Sequence, residues 1–149
     1  MVTPQAGQIW GNYQLKHFIA KGGFGWVFAA EHKWLKSQVA IKILDTTPYR
    51  LQKDIEQFLA EAQKLQALKH PNIVEVKDFG IAYDMPYLVM PLYRASLSSM
   101  RGQILPLPTV IAYVKQIAAA LNFVHQYQIV HRDIKPENFL LGNDGEIIL

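Results

Sequence analysis

Polar and apolar positions alternate with a period of two in several short stretches of the first 90 residues, and the period changes to that of a helix in two longer ones. Residues 13–19 (YQLKHFI) and 26–32 (WVFAAEH) predict two strands joined by a glycine-rich tip, AKGGFG. A third strand is predicted over 38–44 (QVAIKIL), and two more near 73–79 and 86–90. Residues 52–69 predict an amphipathic helix, because Ile55, Phe58, Leu59, Ala62, Leu65 and Leu68 share one face. HPN at 70–72 ends it, since the residue before a proline disfavours helix. Residues 109–127 predict a long helix, apolar around most of its circumference, and such a helix belongs inside a helical lobe. Two short strands, 139–141 and 146–149, follow with a GNDG turn between them. The fold class is therefore α+β: a five-stranded antiparallel sheet with one main helix over 1–90, then the beginning of a helical part over 91–149.

Composition narrows this picture. Half of the 149 residues are apolar and 18% are charged, which predicts a packed core rather than disorder. The net charge is only +3, without a Lys/Arg-rich run, so no nucleic-acid partner is expected. There is no cysteine, which excludes disulfides and thiolate metal sites and fits a cytoplasmic setting. The opening MVTPQAGQIW has no basic stretch before an apolar one, so no signal peptide is read. Lys115, Gln116 and Asn122 interrupt the apolar segment 109–125, so no membrane span or membrane partner is expected.

Three groups of residues carry chemistry. The first is the hairpin tip, where Gly22, Gly23 and Gly25 let backbone N–H groups approach an anion closely. By itself such a tip is equally a flexible turn. The second is a pair of charges. Alternation puts Lys42 on a strand whose two faces are otherwise apolar, and Glu61 falls at the margin of the helix's apolar face. A lone charge facing a core costs several kcal/mol. An ion pair between the two is therefore expected, the alternative being that both reach out to water. The third group is HRDIKPEN at 131–138. There Asp133 can accept a hydroxyl proton, Asn138 can offer an oxygen to Mg²⁺, and Lys135 can offset charge on a transferring phosphoryl group.

In this order and context, these segments resemble the catalytic domain of eukaryotic-type serine/threonine protein kinases, from about residue 13 to the end of the chain. The resemblance rests on VAIK at 39–42, HPNIV at 70–74 and HRDIKPEN. It implies that ATP and Mg²⁺ are cofactors and that a protein Ser or Thr hydroxyl is the acceptor. Ala20, Lys21, Gly22, Gly23, Phe24 and Gly25 would form the loop over the phosphates. Lys42 and Glu61 would be the ion pair behind the nucleotide, Asp133 the catalytic base, Lys135 the phosphate-contacting lysine and Asn138 a Mg²⁺ ligand. Met90 would be the gatekeeper, with Pro91 and Tyr93 in the hinge beside the adenine. Val27, Ala40 and Leu140 would sandwich the adenine ring.

Two departures from the family pattern stand out. Ala20 replaces the first loop glycine, which is expected to weaken ATP binding modestly. No Asp-Phe-Gly is read anywhere in the chain, and none follows the 146–149 strand, where the family has it, so the chain is read as truncated before that motif. The alternative reading is a pseudokinase-like nucleotide-binding or interaction module. A small-molecule phosphotransferase of similar fold is a third, and HPNIV with the full HRDIKPEN argues against it. The 109–127 helix would then leave large apolar side chains uncovered, a surface for a partner or for self-association.

Overall fold

A computed structural model describes residues 3–22, 25–45, 60, 62–64, 66–131 and 133–149. They form two compact units. The first comprises residues up to Leu68 together with Glu75–Leu92, and the second Lys69–Val74 together with Tyr93–Leu149. The division at 90/91 read from the sequence thus differs from these units chiefly in the segment 69–74.

The first unit is an antiparallel sheet of six strands in the order β1-β2-β3-β4-β6-β5. Its strands are β1 (Ile9–Trp10), β2 (Tyr13–Gly22), β3 (Gly25–His32), β4 (Gln38–Leu44), β5 (Asp78–Ala82) and β6 (Met85–Pro91). The sequence reading has five strands, and β1 is the addition. Two residues are too short to show a period. They are held because Trp10, fully buried, packs its ring edge-on to Tyr87 at 5.9 Å. The strand expected at 73–79 instead begins at Asp78 and turns at Tyr83 and Asp84, both at positive φ. Among the described residues of the 52–69 helix, 60, 62–64, 66 and 67 are helical. Ala62 and Leu68 are buried, whereas Ile55, Phe58, Leu59 and Leu65 lie outside the described residues.

Alternation gives the sheet two distinct faces. One carries Phe28, Ile41 and Val89 side by side across β3, β4 and β6, and beside them Trp26, Ile43 and Tyr87. Ile41, Ile43 and Val89 are fully buried there, each contributing about 1.5–3 kcal/mol. On the opposite face, the one that carries Lys42, Ala29 and Ala40 are the buried small residues.

The second unit is built around α1 (Leu107–Gln126) and a three-stranded sheet, β7 (Ala95–Ser96), β8 (Leu140–Leu141) and β9 (Ile147–Ile148). Pro108 opens the helix, where a missing N–H costs nothing. Ala120 packs with Phe139, Ile147 and Leu149. By length and composition alone α1 is apolar enough to cross a membrane. Of its residues only Ala120 and Val124 are buried, and of these two Ala120 is the one that packs on these side chains. Val110, Val114, Ile111 and Leu107 remain exposed on it, the surface on which the sequence reading places a partner or second copy.

Candidate active site

In the first unit, strand register gathers five of the expected nucleotide residues. Ala20 pairs with Val27, Val27 with Lys42, and Lys42 with Leu88, one row across four strands. In the adjacent row Ala29 pairs with Ala40 and Ala40 with Met90. Ala20, Val27, Ala40, Lys42 and Met90 therefore share one face, opposite the packed core. A bulge in β2 between Phe18 and Ala20 makes this possible. Without it the two would share a face, whereas here Phe18 pairs with Phe28 and Ala20 with Val27. Ala20 sits in extended strand, so its methyl group is unstrained.

Lys21 is placed differently from its neighbours. It pairs with Trp26, and its Nζ lies 4.9 Å from the centre of that ring, on the core side of the hairpin. An open hollow of about 410 Å³ lies there, lined in part by Phe18, Lys21, Trp26 and Phe28. It is not the face that carries Lys42. Lys21 can thus offer the nucleotide its backbone but not its ammonium. Gly22 pairs with Gly25 at the end of the hairpin. Gly23, Phe24 and Glu61, and with Glu61 the expected pair to Lys42, lie outside the described residues, as does Arg132.

Pro91 ends β6 opposite Val39, an end position that suits a residue with no N–H to give. Tyr93 and Leu140 belong to the second unit, where Leu140 pairs with Ser96 on one side and Ile148 on the other.

In the second unit the catalytic-loop residues converge. Pro136 starts a 3-10 turn, Pro136–Asn138, closed by the Asn138 N–H donating to the Lys135 carbonyl at 3.0 Å. The turn brings Asn138 back to Asp133. Its Nδ2 donates to the Asp133 carbonyl at 2.7 Å and to Oδ2 at 2.9 Å. Lys135 Nζ lies 2.8 Å from the same Oδ2. The Asp133 N–H donates to His131 Nδ1 at 3.3 Å. Below this loop Phe139 is buried, and its carbonyl accepts from Leu97 N–H at 2.7 Å. Glu137 pairs with Arg101. The loop is tied at its base and open above, with the Asp133 side chain 32% exposed.

Hydrogen bonds from Lys135 and Asn138, then the charge of Lys135, hold the Asp133 carboxyl below the usual carboxylate range. It is ionised at neutral pH. Because the folded value is depressed, the stabilisation from this group is present above its unfolded pKa and is lost as pH falls through the folded one. Replacing Lys135 with alanine is expected to raise the Asp133 pKa towards the usual range. An NMR titration of the Asp133 carboxyl checks this, and an unchanged midpoint would contradict the geometry.

Asn138 turns its amide nitrogen to Asp133, which leaves Oδ1 as its ligating atom. An amide oxygen beside a carboxylate is the hard donor set Mg²⁺ takes, completed as a rule by waters and phosphate oxygens. These residues fit that ion, and among the described residues no cluster of His, Cys, Asp and Glu makes another metal site.

Two features were missed from the sequence. The triplet Asp78-Phe79-Gly80 corrects the reading that Asp-Phe-Gly occurs nowhere in the chain, but it lies within β5, before the catalytic loop. There Asp78 Oδ2 accepts from the Tyr13 hydroxyl at 3.1 Å and Oδ1 from Phe79 N–H at 2.8 Å. Burial, then the charge and hydrogen bond of Asp78, push the Tyr13 phenol up to about 12. A Cβ at Gly80 would lie 2.8 Å from the Tyr87 hydroxyl, so this triplet is a packing element of the strand. The second is the pair Asn72 and Gln116, joined at 2.8 Å. An amide in the middle of an apolar helix was the available signal, since such a group needs a partner.

Residues 13–149 match the family described as protein kinase domain. The chain is 38% identical over 144 residues to the serine/threonine-protein kinase PrkC of Bacillus subtilis, covering 94% of this chain and 22% of that protein. It is 35% identical to Pkn1 of Myxococcus xanthus over 95% of this chain and 21% of that protein. It is 34% identical to PknA of Mycobacterium tuberculosis over 98% of this chain and 36% of that protein. The chain thus spans between about a fifth and a third of the length of these serine/threonine-protein kinases. Strand register, the closed 131–138 loop and these matches agree, and the chain belongs to the protein kinase domain family.

Proposed function

We propose that these residues bind ATP with Mg²⁺ and transfer its γ-phosphoryl group to a Ser or Thr hydroxyl of a protein. The observation that carries this reading is the closed loop in which Asp133, Lys135 and Asn138 meet. Asp133 orients the acceptor hydroxyl and takes its proton as the new O–P bond forms and the bond from the γ-phosphorus to the bridging oxygen breaks, leaving ADP. A carboxylate held at low pKa is a weak base. Its main work is therefore orientation, with the proton arriving late. Lys135 offsets charge on the transferring group. Asn138 Oδ1 holds the metal ion, which when bound neutralises phosphate charge. On the sheet face, Lys42, with Glu61 as its expected partner, reaches the phosphates. Val27, Ala40 and Met90 line the adenine from the same face, with Pro91 at the end of β6 beside them. The loop from Ala20 to Gly25 covers the phosphates. The reading implies a cytoplasmic site of action, where ATP is supplied. A non-catalytic nucleotide-binding module is not favoured, since the loop keeps all three side chains.

The test is transfer of labelled phosphate from ATP to a generic Ser/Thr-containing acceptor protein by the purified full-length protein. Lys42→Met is expected to lower the rate by about 100-fold or more, as loss of a charge-stabilising contact does. Activity indifferent to this change, or label found on tyrosine alone, would overturn the reading.

A further inference from the structure

Gln116 lies in the middle of α1, on a helix that is otherwise mostly apolar. Its Oε1 accepts two hydrogen bonds, one from Asn72 Nδ2 and one from the Ile147 backbone N–H, both at 2.8 Å. Asn72 Nδ2 also donates to the Ile147 carbonyl at 2.8 Å. Both amide hydrogens of Asn72 are thus used, and both backbone groups of Ile147 are taken. Two backbone bonds extend the contact. Leu149 N–H donates to the Asn72 carbonyl at 2.9 Å, and Val74 N–H to the Leu149 carbonyl at 2.8 Å. His70 fixes Asn72 from the other side, its Nδ1 accepting the Asn72 N–H at 3.1 Å while its ring packs on Phe123 at 4.9 Å.

The backbone of Ile147 dictates the orientation of both amides. A peptide N–H only donates and a peptide carbonyl only accepts. The Gln116 atom facing that N–H must therefore be oxygen, and the Asn72 atom facing that carbonyl must be nitrogen. The network has one sense, with Asn72 as donor and Gln116 as acceptor.

Its place in the fold gives it a consequence for the reaction. Ile147 pairs with Leu141 and Ile148 with Leu140, so β9 holds β8. β8 begins two residues after Asn138. We propose that Asn72 and Gln116 are positioning residues: they clasp β9 to α1 and to the 69–74 segment, and through β8 they fix where Asn138 presents its oxygen to the metal ion. This role rests on the kinase reading above, and on no contact of either residue with substrate.

The experiment uses the full-length protein and three variants, measuring phosphate transfer against Mg²⁺ concentration and, separately, hydrogen exchange at Ile147 and Leu149. Gln116→Met removes the acceptor. It is expected to speed exchange at Ile147 about tenfold, as for a lost hydrogen bond. It should also lower kcat and raise the Mg²⁺ concentration for half-maximal rate by roughly tenfold, the lower range for outer partners of a metal ligand. Gln116→Glu keeps a double acceptor and should stay within about threefold of the unmodified protein in every readout. Asn72→Asp points a carboxylate at two acceptors and should be the most affected. Faster exchange in Gln116→Met with unchanged kcat and Mg²⁺ dependence would make the clasp purely structural and overturn the proposal. So would unchanged exchange, or equal losses in Gln116→Glu and Gln116→Met. An unmodified protein that transfers no phosphate would instead overturn the kinase reading, and the positioning role with it.

Discussion

Asp133→Asn is expected to lower kcat/KM for phosphoryl transfer by about 1,000-fold or more while the protein stays folded. The change is nearly isosteric and removes one charge. Lys135 loses the anion 2.8 Å from its Nζ, and the acceptor hydroxyl loses the only anionic oxygen that can receive its proton within the 131–138 loop apart from exposed Glu137, which is paired with Arg101. General acid–base groups contribute typically about 10²–10⁴-fold, and here orientation of the hydroxyl is lost as well. The loop itself should persist. Asn138 Nδ2 keeps its bond to the residue 133 carbonyl at 2.7 Å, and the new amide oxygen can still accept its second one. The Lys135 pair is exposed and screened, so its loss costs little stability. ATP affinity should therefore remain within a few-fold and the unfolding temperature nearly unchanged. Steady-state kinetics, nucleotide titration and thermal unfolding of the same preparation check all three. A variant that retains a tenth of the activity would remove Asp133 from its role.

Gly25→Ala is expected to destabilise the first unit by about 3 kcal/mol or more, enough to lower the unfolding temperature by roughly 10 °C. Gly25 has φ +130, a region that side chains rarely enter. A Cβ there would overlap the Ile43 carbonyl oxygen and lie 2.8 Å from the Asp45 nitrogen. These are backbone atoms in and just after β4, so no rotamer change relieves the contact. Relief needs β3 and β4 to separate at the Gly25–Leu44 pair. Gly22 is the internal control, since nothing lies within 4 Å of a Cβ at that position. Gly22→Ala should leave stability within about 0.5 kcal/mol. Alanine keeps the N–H, but its Cβ would stand where a phosphate approaches the backbone, so ATP affinity should fall by roughly tenfold while the fold is unaffected. The two glycines of one loop would then separate into a structural and a ligand-facing role. Calorimetry alongside nucleotide titration reads both, and a Gly25→Ala protein as stable as its parent would refute the assignment.

Part of this site was legible because its determinants are local. Alternation along 38–44 alone separates Ala40 and Lys42 from Val39, Ile41 and Ile43, and the sheet keeps that division. The spacing in HRDIKPEN, with proline at the start of a tight turn, is enough to return Asn138 to Asp133. The Lys42–Glu61 pair is not decided by the described residues. Other features could not be read along the chain. Residues 73–79 alternate like a strand, yet the backbone groups of 72 and 74 bond to Leu149, some 75 positions away, and the strand starts only at Asp78. Lys21 belongs to a phosphate-loop pattern, but the bulge in β2 and the neighbouring Trp26 turn its side chain to the opposite face.

The sequence by itself determined the class of fold, the faces of the central strands and the chemical groups of the catalytic loop. All three follow from periods and spacings of a few residues, which the backbone geometry of strand and turn converts directly into position. Only the tertiary structure decided the sixth strand, the packing role of Asp78-Phe79-Gly80 and the joining of Asn72, Gln116 and Ile147. The last two depend on partners far away in the chain, and the first, though it pairs with Tyr13 and Gln14 close by, on Trp10 packing against Tyr87. A polar group is satisfied by whatever the fold brings within about 3 Å, and no local period records what that will be.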